Sequence, residues 1–143
     1  MTPKRILIDL NVVLDVLQAR VPHQTMSAAV LSAAERGTVE GWIAAHSITT
    51  LHYLYTKTRS SDAARSAITT LLTFLHVAPV DEQVIKRALT LPYQDFEDAV
   101  QMAAALTVRA SCIVTRNVKD FHPGPLPAYT PADCLPLLDF PAQ

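Results

Sequence analysis

Ile6-Leu7-Ile8 is an uninterrupted apolar run that stops at a carboxylate, Asp9, and no other feature limits the fold so much. Such a run is too short for a buried helix but suits a strand covered on both faces. Strands of that kind belong to parallel sheets, whose connections are helices. The rest of the chain shows the alternation this requires. Gly41 to Ala45, His76 to Val80 and Cys112 to Thr115 read as further buried strands, and Ala128-Tyr129 as a short last one. Between them lie helical patterns. One follows Asp9, and an Ala-rich one spans His23 to Arg36, stopping at Gly37. Ile48 to Lys57 follows, with Ser47 expected as its cap, and then Ala63 to Leu75. Asp81 is expected to cap a short helix reaching Leu89, and Asp95 to open the strong helix Phe96 to Ala110. Arg116 to Phe121 reads as a polar connection, and Ala132 to Leu138 as a final helix. The expected architecture is a three-layer α/β/α sandwich around a parallel sheet, one domain over residues 1–143.

In an open parallel sheet, ligands bind outside the carboxyl ends of the strands, at the point where strand order reverses. Asp9 ends the first strand, Asp120 lies just past the fourth, and Asp98 sits in the first turn of the helix feeding the fourth. If the first and fourth strands are neighbours, these three carboxylates can converge on one edge. Clustered carboxylates repel one another, so such a set suits a hard cation, Mg²⁺ or Mn²⁺. Each has a plainer reading. Asp9 can cap a helix, Asp95 and Asp98 resemble a capping box, and Asn117 and Asp120 can serve a turn. Glu97, one position off, reads as solvated.

The chain has 12 Lys and Arg against 13 Asp and Glu, so no general basic field holds nucleic acid, and any grip on it is local. Half the residues are hydrophobic and 17% are charged, which excludes a disordered chain. Two cysteines, Cys112 and Cys134, make no disulfide framework and no CxxC pair. With no signal-peptide pattern at Met1 to Arg5 and no apolar run of membrane length, the expected setting is the cytoplasm.

Taken together, the motifs resemble the PIN domain, in particular the VapC-type toxins of toxin–antitoxin pairs. Ile6 through Asp15 is similar to that family's apolar strand followed by Asp-x-Asn-Val. Asp95-Phe96-Glu97-Asp98-Ala99 is similar to its third motif, and Thr115-Arg116-Asn117-Val118-Lys119-Asp120-Phe121 to its closing Thr-x-Asn-x-x-Asp-Phe. The resemblance implies about five strands, and Asp9, Asp98 and Asp120 as catalytic metal ligands with help from Asp95. It implies that Asn11 orients Asp9, and that Thr115 and Asn117 shape the floor. It also implies RNA cleavage, a small antitoxin partner and a homodimer. Arg116 and Lys119 are candidate phosphate contacts, with ordinary loop charges as the alternative. The sequence departs from the family on the helix after the second strand, where an acid is common. Thr50 or His52 occupies that position, so a non-cutting binding module is the competing expectation. A phosphotransfer receiver lacks support because no Asp ends the third strand. A haloacid-dehalogenase-like phosphatase needs Asp-x-Asp, and this chain has Asp9-Leu10-Asn11.

Overall fold

The structure is a computed structural model that describes residues 3–138. Its five strands are β1 (Arg5–Ile8), β2 (Glu40–Ala44), β3 (Leu75–Ala78), β4 (Cys112–Val114) and β5 (Ala128–Tyr129). They form one parallel sheet in the order β3-β2-β1-β4-β5. The chain builds outward from β1 to β3, then crosses back to lay β4 on the other side of β1. Strand order therefore reverses between β1 and β4, which places the switch point there.

Side-chain alternation divides the core in two. Ile6 and Ile8 of β1 face one layer, with Val12, Val13, Val30, Leu51, Leu71 and Cys134. That layer is made by α1 (Leu10–Leu17), α2 (Gln24–Glu35), α3 (Ala45–Thr58), α4 (Ser61–Leu71) and α7 (Pro131–Leu138). Leu7 and Ile113 face the other layer, made by α5 (Glu82–Ala88) and α6 (Phe96–Thr107). In α6, residues 99–105 are all buried, and four of them are alanine. Small side chains all round let a helix lie close on the sheet.

Asp81 caps α5 as expected, its Oδ1 accepting from Val84 N at 3.0 Å. Ser47 does not cap α3. β2 runs into α3 with no loop between them, so the cap position falls on Ala44 and Ser47 is buried inside the first turn. The third strand starts one residue earlier than expected and ends two earlier, because pairing with β2 runs from Gly41↔Leu75 to Ala44↔Ala78. α4 accordingly stops at Leu71 instead of running to Leu75. Gly37 ends the α2 segment with φ +80, the left-handed conformation that glycine adopts without strain. Both cysteines are free and buried. Among the described residues, no helix is long and apolar enough to cross a membrane.

Candidate active site

Asp9 follows β1 and Thr115 follows β4. Ile8 pairs with Val114, and Asp9 N continues the ladder to Val114 O at 2.9 Å, so the two side chains emerge side by side. Asp9 stands at the N-cap position of α1, yet its carboxylate makes no cap hydrogen bond. Instead Thr115 Oγ1, wholly buried, donates to Asp9 Oδ2 at 2.7 Å. The same hydroxyl accepts from Asn117 N at 3.0 Å. One threonine thus fixes both the carboxylate and the turn beside it. The plain capping reading of Asp9 fails on this geometry. Asn11 lines the cleft, but among the described residues the hydrogen bond that orients Asp9 comes from Thr115 and none comes from Asn11.

Asp95 Oδ1 accepts from Glu97 N at 2.9 Å and so caps α6, as expected. The cap leaves Asp98, a turn into the helix, facing the cleft. Asp120 lies on a 3-10 helix, Val118–Phe121, where the sequence suggested only a polar connection. Phe121 is buried and accepts through its carbonyl from Tyr93 Oη at 3.1 Å, which pins that helix to the loop before α6.

These elements enclose a cleft of about 230 Å³ lined by Asp9, Asn11, Thr50, Asp98, Asn117 and Asp120 among others. A second, wider cleft shares Asp95, Asp98 and Asp120 and is bordered by Tyr93, Lys119 and His122. The three carboxylates named from the sequence therefore line one cleft, with Asp95 beside them. Glu97, expected in solvent, is exposed but sits on the same rim. Among the described residues, no three His, Cys, Asp or Glu side chains are grouped closely enough to hold a metal ion as they stand. The carboxylates share a cleft without closing on one another, as like charges do.

Of the two candidates for the missing acid, Thr50 lines the cleft, its hydroxyl donating to His46 O at 3.3 Å. His52 turns instead toward Ser61 at the start of α4, 3.4 Å away. No sequence motif marks His46. It lies two residues past the end of β2, where the same strand-end rule points. Burial pushes its imidazole below the usual histidine range, opposed by Glu97 and Asp9. Its Nδ1 is buried with no hydrogen-bond partner among the described residues.

Lys119 and Arg116 part company. Lys119 borders the second cleft beside the acids. Arg116 points to the other side of its turn, where Nε meets the fully buried Asp15 Oδ2 at 2.9 Å. Ser27 Oγ donates to the same oxygen at 3.0 Å, and Arg20 approaches Asp15 Oδ1 at 3.9 Å. The Arg116–Asp15 contact is an ion pair in distance without the alignment of a good hydrogen bond. A buried carboxylate needs a cation beside it, so Arg116 is withdrawn from any phosphate in the cleft.

Asp98 carries the electrostatic signature of the site. Burial first, then Asp95, Asp120, Asp9 and Glu97, push its carboxyl from 3.8 up to about 7. A carboxyl raised in the folded state holds its proton more tightly there than in the unfolded chain. Stability is therefore greatest below about pH 4 for this group and falls as pH rises through about 7. Asp98→Asn is expected to melt above wild type at about pH 8 in metal-free buffer and level with it at about pH 4. The gap is modest, because solvent screens a half-exposed group. Melting curves across that range test it, and a gap that does not widen with pH would refute it.

The family model for the PIN domain matches residues 5–119. Among curated proteins no sequence matches the chain at a significant level. Similar solved structures include a toxin–antitoxin complex from Klebsiella pneumoniae, with 22% identity and TM-score 0.69, covering 88% of this chain and 97% of that one. VapBC2 from Rickettsia felis, bound to a promoter DNA fragment, has 16% identity and TM-score 0.65, covering 87% and 96%. The sarcin-ricin loop cleaving toxin VapC20 of Mycobacterium tuberculosis has 15% identity and TM-score 0.61, covering 76% and 86%.

Proposed function

The chain belongs to the PIN-domain family, and on that premise we propose that it is a metal-dependent endoribonuclease, the toxin of a toxin–antitoxin pair. The observation that carries this reading is the convergence of Asp9, Asp98 and Asp120 on one cleft at the switch point of the sheet. In chemical kind the donor set fits a hard dication, which keeps several waters and so does not need the carboxylates to close on one point. The set is made of carboxylate, amide and hydroxyl oxygens, and burial together with the neighbouring carboxylates pushes the Asp98 carboxyl up to about 7. Asp9, Asp98 and Asp120 would hold Mg²⁺ or Mn²⁺, with Asp95 adding charge from its cap position. When bound, such an ion offsets phosphodiester charge and activates water.

The chain's own groups do the rest. Thr115 keeps Asp9 aimed into the cleft, and Asn117 is held by the same hydroxyl. Lys119, at the edge of the second cleft, faces the phosphate of an RNA strand entering there. Burial disfavours the charged form of His46, whose imidazole can hydrogen-bond the incoming phosphate or water. The VapBC and toxin–antitoxin structures of similar fold support an antitoxin partner and, for VapC20, an RNA substrate. A homodimer and a cytoplasmic setting belong to the same reading.

The absence of an acid at Thr50 favours a second reading, a PIN domain that binds a partner without cutting. One experiment separates the two. Purified protein is incubated with single-stranded and structured RNA, with and without Mn²⁺, beside Asp98→Asn. The expected result is Mn²⁺-dependent cleavage that the variant lacks. Folded protein that neither cuts nor binds Mn²⁺ would leave the binding-module reading.

A further inference from the structure

Gln101 is out of keeping with its helix. It sits among Ala99, Val100, Met102, Ala103, Ala104 and Ala105, on a stretch of α6 that packs against the sheet. It is only 5% exposed, and its amide oxygen Oε1 is buried with no hydrogen-bond partner among the described residues. An apolar residue of the same size would fill this place without stranding a polar atom. Buried Thr115 and Ser27 each have a hydrogen-bond partner, whereas His46 Nδ1, in the same cleft as Gln101, also lacks one among the described residues.

The position of Gln101 explains it. It stands three residues after Asp98, so the two share one face of α6. Both line the cleft that holds Asp9 and Asp120. An amide carbonyl is an accepted oxygen donor to a hard cation. It also adds a donor without adding to the crowded negative charge. The α3 wall of the same cleft offers Thr50 and no acid.

We infer that Gln101 is a neutral oxygen donor of the cation site, holding the hydrated ion from the α6 side together with Asp9, Asp98 and Asp120. This inference rests on the cation reading given under Proposed function. It assigns Gln101 to the ion and not to the core.

The test is Mn²⁺ titration by calorimetry of the full chain as wild type, Gln101→Leu and Gln101→Glu, with melting of each metal-free protein. Gln101→Leu is expected to bind Mn²⁺ about 10–100-fold more weakly. Its metal-free melting temperature should equal or exceed that of wild type, because the substitution removes an unpaired polar group. A core role would move the melting temperature down and leave Mn²⁺ affinity alone. Gln101→Glu places a carboxylate at the same point and is expected to bind Mn²⁺ at least as tightly as wild type. Unchanged affinity in folded Gln101→Leu overturns the inference. If that variant does not fold, Gln101→Glu decides, and weaker binding by it overturns the inference. Wild-type protein without Mn²⁺ binding overturns this inference and the cation reading together. Wild-type binding with both variants unaffected overturns this inference alone.

Discussion

Asp9→Asn protein is expected to cut RNA more than about a hundredfold more slowly than wild type and to melt at nearly the same temperature. The bound follows from the outer-shell partners of metal ligands, whose loss alone costs about 10–100-fold. Removing the charge of a primary ligand should exceed it. The fold should survive because the substitution keeps what the structure uses. Thr115 Oγ1 donates to Asp9 Oδ2, and an asparagine oxygen still accepts that bond. The N-cap of α1 does not depend on the side chain, since Asp9 makes no side-chain cap hydrogen bond. Thr115→Val is the informative companion. It keeps the shape and removes the hydroxyl, freeing Asp9 to turn and Asn117 N to lose its acceptor. It should fall between wild type and Asp9→Asn in rate. An Asp9→Asn preparation that is folded and cuts RNA at the wild-type rate would end the proposal that Asp9 belongs to the catalytic set.

A second large effect is expected far from the chemistry. Asp15→Ala should lose about 3 kcal/mol of stability, the low end for breaking a buried ion pair. The low end applies because Arg116 keeps 26% exposure and can be partly solvated. For a chain of this size that is a drop of roughly 10 °C in melting temperature. Four segments meet at Asp15: α1, which carries it, the loop after α1 through Arg20, α2 through Ser27, and the turn after β4 through Arg116. Arg116 lies between Thr115 and Asn117, so the carboxylate anchors from behind the turn that orients Asp9 in front. Loss of Asp15 should therefore slow RNA cleavage as well as lower the melting point. Asp15→Asn keeps an acceptor for Ser27 but leaves Arg116 without its counter-charge, and should lie between the two. Melting of Asp15→Ala within about 2 °C of wild type would mean that the buried pair contributes nothing net, an outcome known for well-solvated pairs.

Much of this molecule was legible in the sequence. An apolar run such as Ile6-Leu7-Ile8 has one good home, a strand covered on both faces, and helix-length segments between such runs require a parallel sheet. A carboxylate that ends such a run has to stand at the sheet's carboxyl edge. Asp98 and Asp120 join Asp9 at that edge only if the first and fourth strands are neighbours, an order that rested partly on the resemblance and that the fold shows. Caps made by residues adjacent in sequence were legible too, as Asp81 and Asp95 show, because their partners lie within three residues.

Side-chain direction was decided only by the tertiary structure. Thr115 and Asp9 are 106 residues apart, and nothing local announces that the threonine, not Asn11, orients the carboxylate. Arg116 and Lys119 look alike in sequence, but a buried Asp15 claims the first and leaves the second beside the acids. His46 and Gln101 entered the cleft unannounced, one from the direct join of β2 to α3 and the other from the inner face of α6. The periodicity of a sequence sets which face of an element is buried. Which polar atom meets which depends on the packing of distant elements, and that exists only once the chain has folded.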